Sequence, residues 1–208
     1  MVSAMRRASR FLPPLLALCA LAAHAVETGE RFTRFAGFTL AGETTLADVV
    51  HRLGPAPLVE YGESGDYRAS LCYRTSAGLL SFLSEQMGGS VHTLLGFSLA
   101  PATPERLRRC APAPANTLPA EIAIGGLQLG MSRTQAAAVL GRPDPGIQSV
   151  VRRYYESQVP LSGAERADYL YAHPHAEAPQ QWNVTISVFA TFAQDRLTEF
   201  EIWKIRTP

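Results

Sequence analysis

From Trp182 to Phe192 the chain alternates strictly. Trp182, Val184, Ile186, Val188, Ala190 and Phe192 stand against Asn183, Thr185, Ser187, Phe189 and Thr191. This period of two predicts a half-buried β-strand with the even positions turned inward. "LTEFEIWKI" (197–205) repeats the pattern, with Phe200 and Ile202 as its core positions. Pairing even with even across a hairpin calls for an odd-numbered loop, so three or five residues are expected around Gln194-Asp195-Arg196. Earlier runs of the same kind are "YRASLCYRT" (67–75), "GLLSFLSE" (78–85), "TLLGFSLA" (93–100), "SVVRRYYESQV" (149–159) and "ADYLYA" (167–172). Each is bounded by turn residues and reads as a strand.

Two stretches carry the helical period instead. In "LAGETTLADVVHRLGPAP", Leu46, Val49, Val50 and Leu53 fall at i, i+3, i+4 and i+7 behind Thr45, with Asp48 at the capping-box position and Gly54-Pro55 as the stop. In "LQLGMSRTQAAAVLGRPD", Ser132 and Gln135 form the capping box, Met131 is placed to staple onto Ala136, and Gly141 and Pro143 end the helix. Adding 87 carries Ala36 to Ala123, Leu40 to Leu127, Thr45 to Ser132, Leu53 to Leu140 and Gly54 to Gly141 without a gap. The match reads as an internal repeat; the alternative is that Leu-Gly-x-Pro is simply a common helix ending. A third short helix is predicted from Thr103, its cap, through Pro104 to Cys110. "APAPANTLP" (111–119) lies in a Pro/Ala-rich linker spanning 111–121.

The N-terminus belongs to a different class. Arg6, Arg7 and Arg10 precede an apolar run from Phe11 to Ala22 and a small-x-small site at Ala23-His24-Ala25, the pattern of a secretory signal peptide over 1–25. The run is shorter than the ~20 residues a bilayer needs, and Leu18 stands where a lipid-modified Cys19 would want a small residue. A periplasmic or secreted protein without a transmembrane segment is therefore expected. Removing three leader arginines leaves 16 basic against 18 acidic residues, a net charge near −2 that offers nothing to nucleic acid. Cys72 and Cys110 remain, and an even pair in an exported chain reads as a disulfide tying the short third helix to the strand that carries Cys72.

Catalytic and cofactor motifs are missing. No G-x-S-x-G occurs, "GESGD" (62–66) reads as a turn, and "GGLQLG" (125–130) has neither the P-loop lysine nor dinucleotide glycine spacing. The expectation is a non-enzyme without a cofactor. His173, His175 and Glu177 are the candidate metal ligands, on what reads as a polar loop from His173 to Gln181.

The string Leu127–Asp144, the strands after it, and the closing Phe192, Asp195, Leu197 and Phe200 of "F-x-x-D-x-L-x-x-F" resemble the small outer-membrane-assembly lipoproteins of the SmpA/OmlA (BamE) type. Doubled, the pattern is similar to the β-lactamase-inhibitor-protein fold. The resemblance covers mainly 122–206, with a fainter copy at 36–100. It implies an α+β fold of two tandem units, 26–110 and 122–208, each a short helix packed on one face of an antiparallel sheet whose other face is open to a protein partner. The chain departs from those lipoproteins in lacking a lipid-attachment site and in being doubled, and from the inhibitor fold in showing one clear helix at the start of each unit where that fold has a pair.

On that open face the alternation places Thr185, Ser187, Phe189, Glu199, Glu201 and Trp203. Aromatic residues among small polar and acidic ones have an interface composition. The function expected is a soluble periplasmic protein-binding module, for envelope assembly or inhibitor-like, with Phe189 and Trp203 as exposed anchors; the other reading of the face is that the other repeat or a loop covers it. The alternative is a small-ligand or metal-binding protein using the His173/His175 loop.

Overall fold

The computed structural model describes residues 29–63, 65–141 and 149–208. The proposed signal peptide and Pro143 lie outside them. A 3-10 turn over Glu30–Thr33 leads into a small hairpin, β1 (Arg34–Phe35) and β2 (Phe38–Thr39). Helix α1 (Leu46–Leu53) follows, then β3 (Leu58–Tyr61), β4 (Arg68–Thr75), β5 (Gly78–Glu85) and β6 (Gly96–Ala100). A single turn α2 (Pro104–Leu107) and β7 (Ala111–Pro112) lead to α3 (Arg133–Leu140), β8 (Val150–Pro160), α4 (Gly163–Ala172), β9 (Gln181–Ala193) and β10 (Arg196–Thr207).

The long strands form one sheet in the order β3-β4-β5-β6-β10-β9-β8, every neighbour antiparallel, with β7 added parallel to β4. The fold is thus α+β. The order reads the same from either end of β4-β5-β6-β10-β9-β8: the last strand of each half meets at the centre.

Both capping boxes form as the sequence predicts, Thr45 with Asp48 and Ser132 with Gln135. The two helix starts are tied down alike. In the first half Ala41 N–H donates to Leu94 O (2.8 Å), Leu94 N–H to Thr44 O (2.8 Å) and Leu46 N–H to His92 O (3.0 Å). In the second, Gly130 N–H donates to Leu197 O (2.7 Å), Leu197 N–H to Met131 O (2.8 Å) and Arg133 N–H to Asp195 O (3.2 Å). The helix ends are also held alike, Tyr73 Oη donating to Gly54 O at 2.7 Å and Tyr155 Oη to Leu140 O at 2.8 Å. Upstream of the helices the geometric match is shifted by two residues from the gapless spacing. The left-handed pair Ala36-Gly37 between Phe35 and Phe38 corresponds to Gly125-Gly126 between Ile124 and Leu127.

A single core fills the side where α1 and α3 lie. Leu46, Val49 and Leu53 of α1 and Ala136 and Leu140 of α3 pack with Leu71, Tyr73, Phe82, Phe97, Val188, Phe200 and Ile202 of the sheet. Even positions of β9, and Phe200 and Ile202 of β10, face inward as expected.

Three sequence expectations are corrected. The β9–β10 loop has two residues, Gln194 (φ 48°) and Asp195 (φ 62°), both left-handed as a tight primed turn requires. Parity is restored one step later by a bulge at Thr198, which moves the register from Leu197↔Phe192 to Glu199↔Thr191 and lets Phe200 oppose Ala190. "ADYLYA" is helical, because Ser162 and Glu165 close a capping box ahead of it and Ala164, Glu165, Ala167 and Leu170 favour the helix; the Tyr169/Tyr171 alternation mimicked a strand. The third helix ends at Leu107 and not at Cys110. Within the 111–121 linker, β7 pairs with Tyr73 and Arg74, and Ala113 N–H donates to Arg74 O at 3.1 Å. β3 also escaped prediction, since four residues carry too little pattern.

Candidate protein-binding face

Strand alternation sends a second set of side chains to the side without α1 and α3. β10 contributes Glu199, Glu201 and Trp203; β9 contributes Thr185, Ser187 and Phe189; register pairs these with Ser98 and Gly96 of β6 and with Arg152, Tyr154 and Glu156 of β8. All six predicted partner-binding residues therefore share one face, as their odd numbering implied. Glu201 lies directly opposite Phe189, and Trp203 opposite Ser187.

Exposure divides the two aromatic anchors. Trp203 is only 6 % exposed, so it is not the open anchor its face suggested. Its indole lies against Gly96, where an added Cβ would stand 2.9 Å from Cε3, and the Arg68 guanidinium caps the ring at 5.2 Å from its centroid. The indole N–H donates to Glu201, whose carboxylate is 3.7 Å from Arg68. Burial of the ring thus comes from β4 and β6, which sequence spacing within β9 and β10 does not reveal. Phe189 is half-buried, set edge-on to Tyr154 (6.1 Å) with the Arg152 guanidinium 5.9 Å from its ring. Tyr154 is 40 % exposed and is the aromatic that the sequence reading missed. The signal was present: even positions of β8 share the face of odd positions of β9.

Toward the other end a groove of about 250 Å³ opens on the same face. Its floor is Ser70, Ser81 and Ser98 of three adjacent strands, its far wall Val59 and Tyr61, and its near wall Arg106, Arg109 and the Cys72–Cys110 bridge. That disulfide forms between the two predicted cysteines, with Cα atoms 4.6 Å apart, and holds the α2 segment over the sheet. Thr103 Oγ1 caps α2 by accepting from Arg106 N–H. Arg106 reaches Glu199 across the groove at 3.4 Å, while the Arg109 guanidinium has no hydrogen bond or ion pair among the described residues, its backbone N–H donating to Arg106 O. The groove therefore carries one compensated and one uncompensated guanidinium above a row of hydroxyls, a setting suited to an anionic or hydroxyl-bearing side chain.

The histidine candidates are placed elsewhere. His173 is the C-cap of α4, its ring stacked on Tyr169 (4.5 Å) with Nδ1 3.1 Å from Tyr169 O. His175 and Glu177 are exposed in the following loop, and among the described residues no group of three or more His, Cys, Asp or Glu side chains is placed to hold a metal ion. A cluster that the sequence did not flag joins Glu60, Tyr67 and His92: Tyr67 donates to Glu60, which holds the phenol above its ordinary pKa, and His92 Nε2 is 3.8 Å from Glu60. At the far end of the sheet Glu165 accepts from Ser162 N–H (2.8 Å), Trp182 Nε1 (3.2 Å) and Arg206 (2.5 Å). The Ser162 hydrogen bonds, followed by the Arg206 one, pull its carboxyl down to about 2. No helix among the described residues is long and apolar enough to cross a membrane. No protein-family model, curated protein or solved structure matches the chain.

Proposed function

We propose that this chain is an exported protein-binding module, built by tandem duplication of one helix-on-sheet unit, that presents the helix-free face of its sheet to an envelope protein. The observation that carries the reading is that face itself. It runs through both halves, joined at β6 and β10, and displays Phe189, Tyr154, arginines, glutamates and small hydroxyls over a shaped groove. Duplication is supported by the matched hydrogen bonds at both helix starts and both helix ends. Equal helix spacing alone would not demand them. The mixed composition suits a non-obligate interface, which is about as polar as ordinary surface with aromatic and arginine anchors at its centre.

Site-specific photocrosslinking in the periplasm tests this. A crosslinker at Phe189 or Tyr61 should give a discrete adduct, and one at Ala47, exposed on α1, should not. Equal capture from Ala47, or capture from Tyr61 that Phe189→Arg leaves untouched, contradicts the assignment of the face.

A further inference from the structure

The two edges of the sheet are treated very differently. At one end β3 is four residues long and β7 lies beside it on β4. At the other, β8 runs unbroken for eleven residues in continuous register with β9, and no described strand pairs with its outer side. A long straight edge with free backbone groups is a template for another strand unless something deters pairing.

The ladder shows which groups point away from β9. Phe192 N–H donates to Ser149 O at 2.7 Å, making these two a hydrogen-bonded pair. In an antiparallel ladder such pairs alternate, so Val151, Arg153 and Tyr155 turn their amides and carbonyls toward β9. Val150, Arg152, Tyr154, Glu156 and Gln158 turn theirs outward.

We infer that this edge pairs with the same edge of a second copy, antiparallel about a two-fold axis through Tyr154. That axis sets Arg152 opposite Glu156 of the second copy, twice, on the helix-free face, with Tyr154 against its own counterpart between them. All three residues are among those whose backbone groups point outward, so side-chain and backbone requirements agree. On the helix side the same register sets Arg153 opposite Tyr155. Neighbouring registers fail: an axis through Arg153 opposes the two Arg153 side chains, and one through Tyr155 leaves Arg152 facing Gln158 and Glu156 facing Tyr154. The arginines thus deter slipped pairings and unrelated basic or neutral strands, while the self-pairing satisfies them. Pro160, which cannot donate to a ladder, falls outside the paired stretch of Val150 to Gln158. Because Phe189 packs edge-on to Tyr154, the join would carry the aromatic row Phe189–Tyr154 across into the second copy and make one continuous helix-free face. The dimer does not depend on the identity of any envelope partner.

Sedimentation velocity and light scattering on the purified protein, taken up to about 1 mM, the weak limit of specific association, provide the test. Wild type should dimerise reversibly. Arg152→Glu and Glu156→Arg, each placing like charges opposite one another twice, should each raise the dissociation constant about ten-fold or more. The double reversal Arg152→Glu with Glu156→Arg should dimerise again, because it recreates the same pairs. Both side chains are exposed, so far-UV circular dichroism should match wild type throughout. A wild type that stays monomeric, single reversals that dimerise as wild type does, or a folded double reversal that stays monomeric would each overturn the inference.

Discussion

Truncating Trp203 measures directly whether the helix-free face is partly covered by the protein itself. The indole is 6 % exposed, lies on Gly96, and is capped by Arg68. Replacing a buried tryptophan by alanine removes its transfer energy and leaves a cavity, about 3 to 5 kcal/mol in a closed core. Here the cavity is roofed by a single arginine 39 % exposed, so water can enter it and the cavity part shrinks. Against that, the Arg68 contact with the ring is also lost, about 0.5 to 1 kcal/mol at an exposed site. The balance is about 2 to 4 kcal/mol for Trp203→Ala. With a urea slope of about 2 kcal/mol/M, the unfolding midpoint should fall by about 1 to 2 M. Phe200→Ala, fully buried on the opposite side of the same strand, should fall at least as far, and Phe189→Ala should fall by less than either. Far-UV circular dichroism under oxidising conditions is the suitable probe, since the chain has two tryptophans and the variant removes one. If Trp203→Ala moves the midpoint no more than Phe189→Ala, the indole is not covered in solution. The Arg68–Gly96 account would then be wrong.

Other expectations follow from the same geometry. Gly96→Ala should destabilise the fold measurably in the same urea assay, because a Cβ there would stand 2.8 Å from Ile202 O as well as against the indole. Cys72→Ser with Cys110→Ser should cost about 4 kcal/mol for a loop of 38 residues, seen as a urea midpoint that no longer responds to reductant; an unchanged wild-type midpoint on reduction contradicts it. Glu165 has a folded pKa of about 2, below its ordinary 4.5, so its contribution is present in full above pH 4.5 and lost as pH falls toward 2. The Trp182 indole N–H resonance of the folded protein should therefore titrate with a midpoint near pH 2 and hold still near pH 4.5, and Glu165→Gln should abolish the shift. Protein recovered from periplasm should begin at Val26 with a mass two protons short of the reduced chain; an acylated Cys19 or an intact leader would refute the export reading.

Local grammar was legible in the sequence because it is written in local chemistry. Capping boxes at Thr45 and Ser132 need only residues three apart, and the alternation of 182–192 names the core positions of β9 whatever its neighbours are. The disulfide followed from counting the cysteines left once 1–25 is read as a signal peptide. The α4 segment was misread for the converse reason: Tyr169 and Tyr171 satisfy a strand pattern over six residues, while the deciding signal, Ser162 with Glu165, sits just upstream.

Tertiary structure decided the rest. Nothing local states that β6 and β10 should pair, joining β3-β4-β5-β6 to β10-β9-β8 in one sheet, because strand order depends on which edges remain free as the strands assemble. That pairing brings Arg68 and Gly96 of the first half over and under Trp203 of the second, turning an apparent anchor into a buried residue. It also carries Glu199 to Arg106, residues 93 positions apart, onto a groove otherwise lined by the first half. Sequence determines which face a side chain points to, since that depends on a two-residue period. Whether the face is open depends on what the opposite half of the chain lays against it.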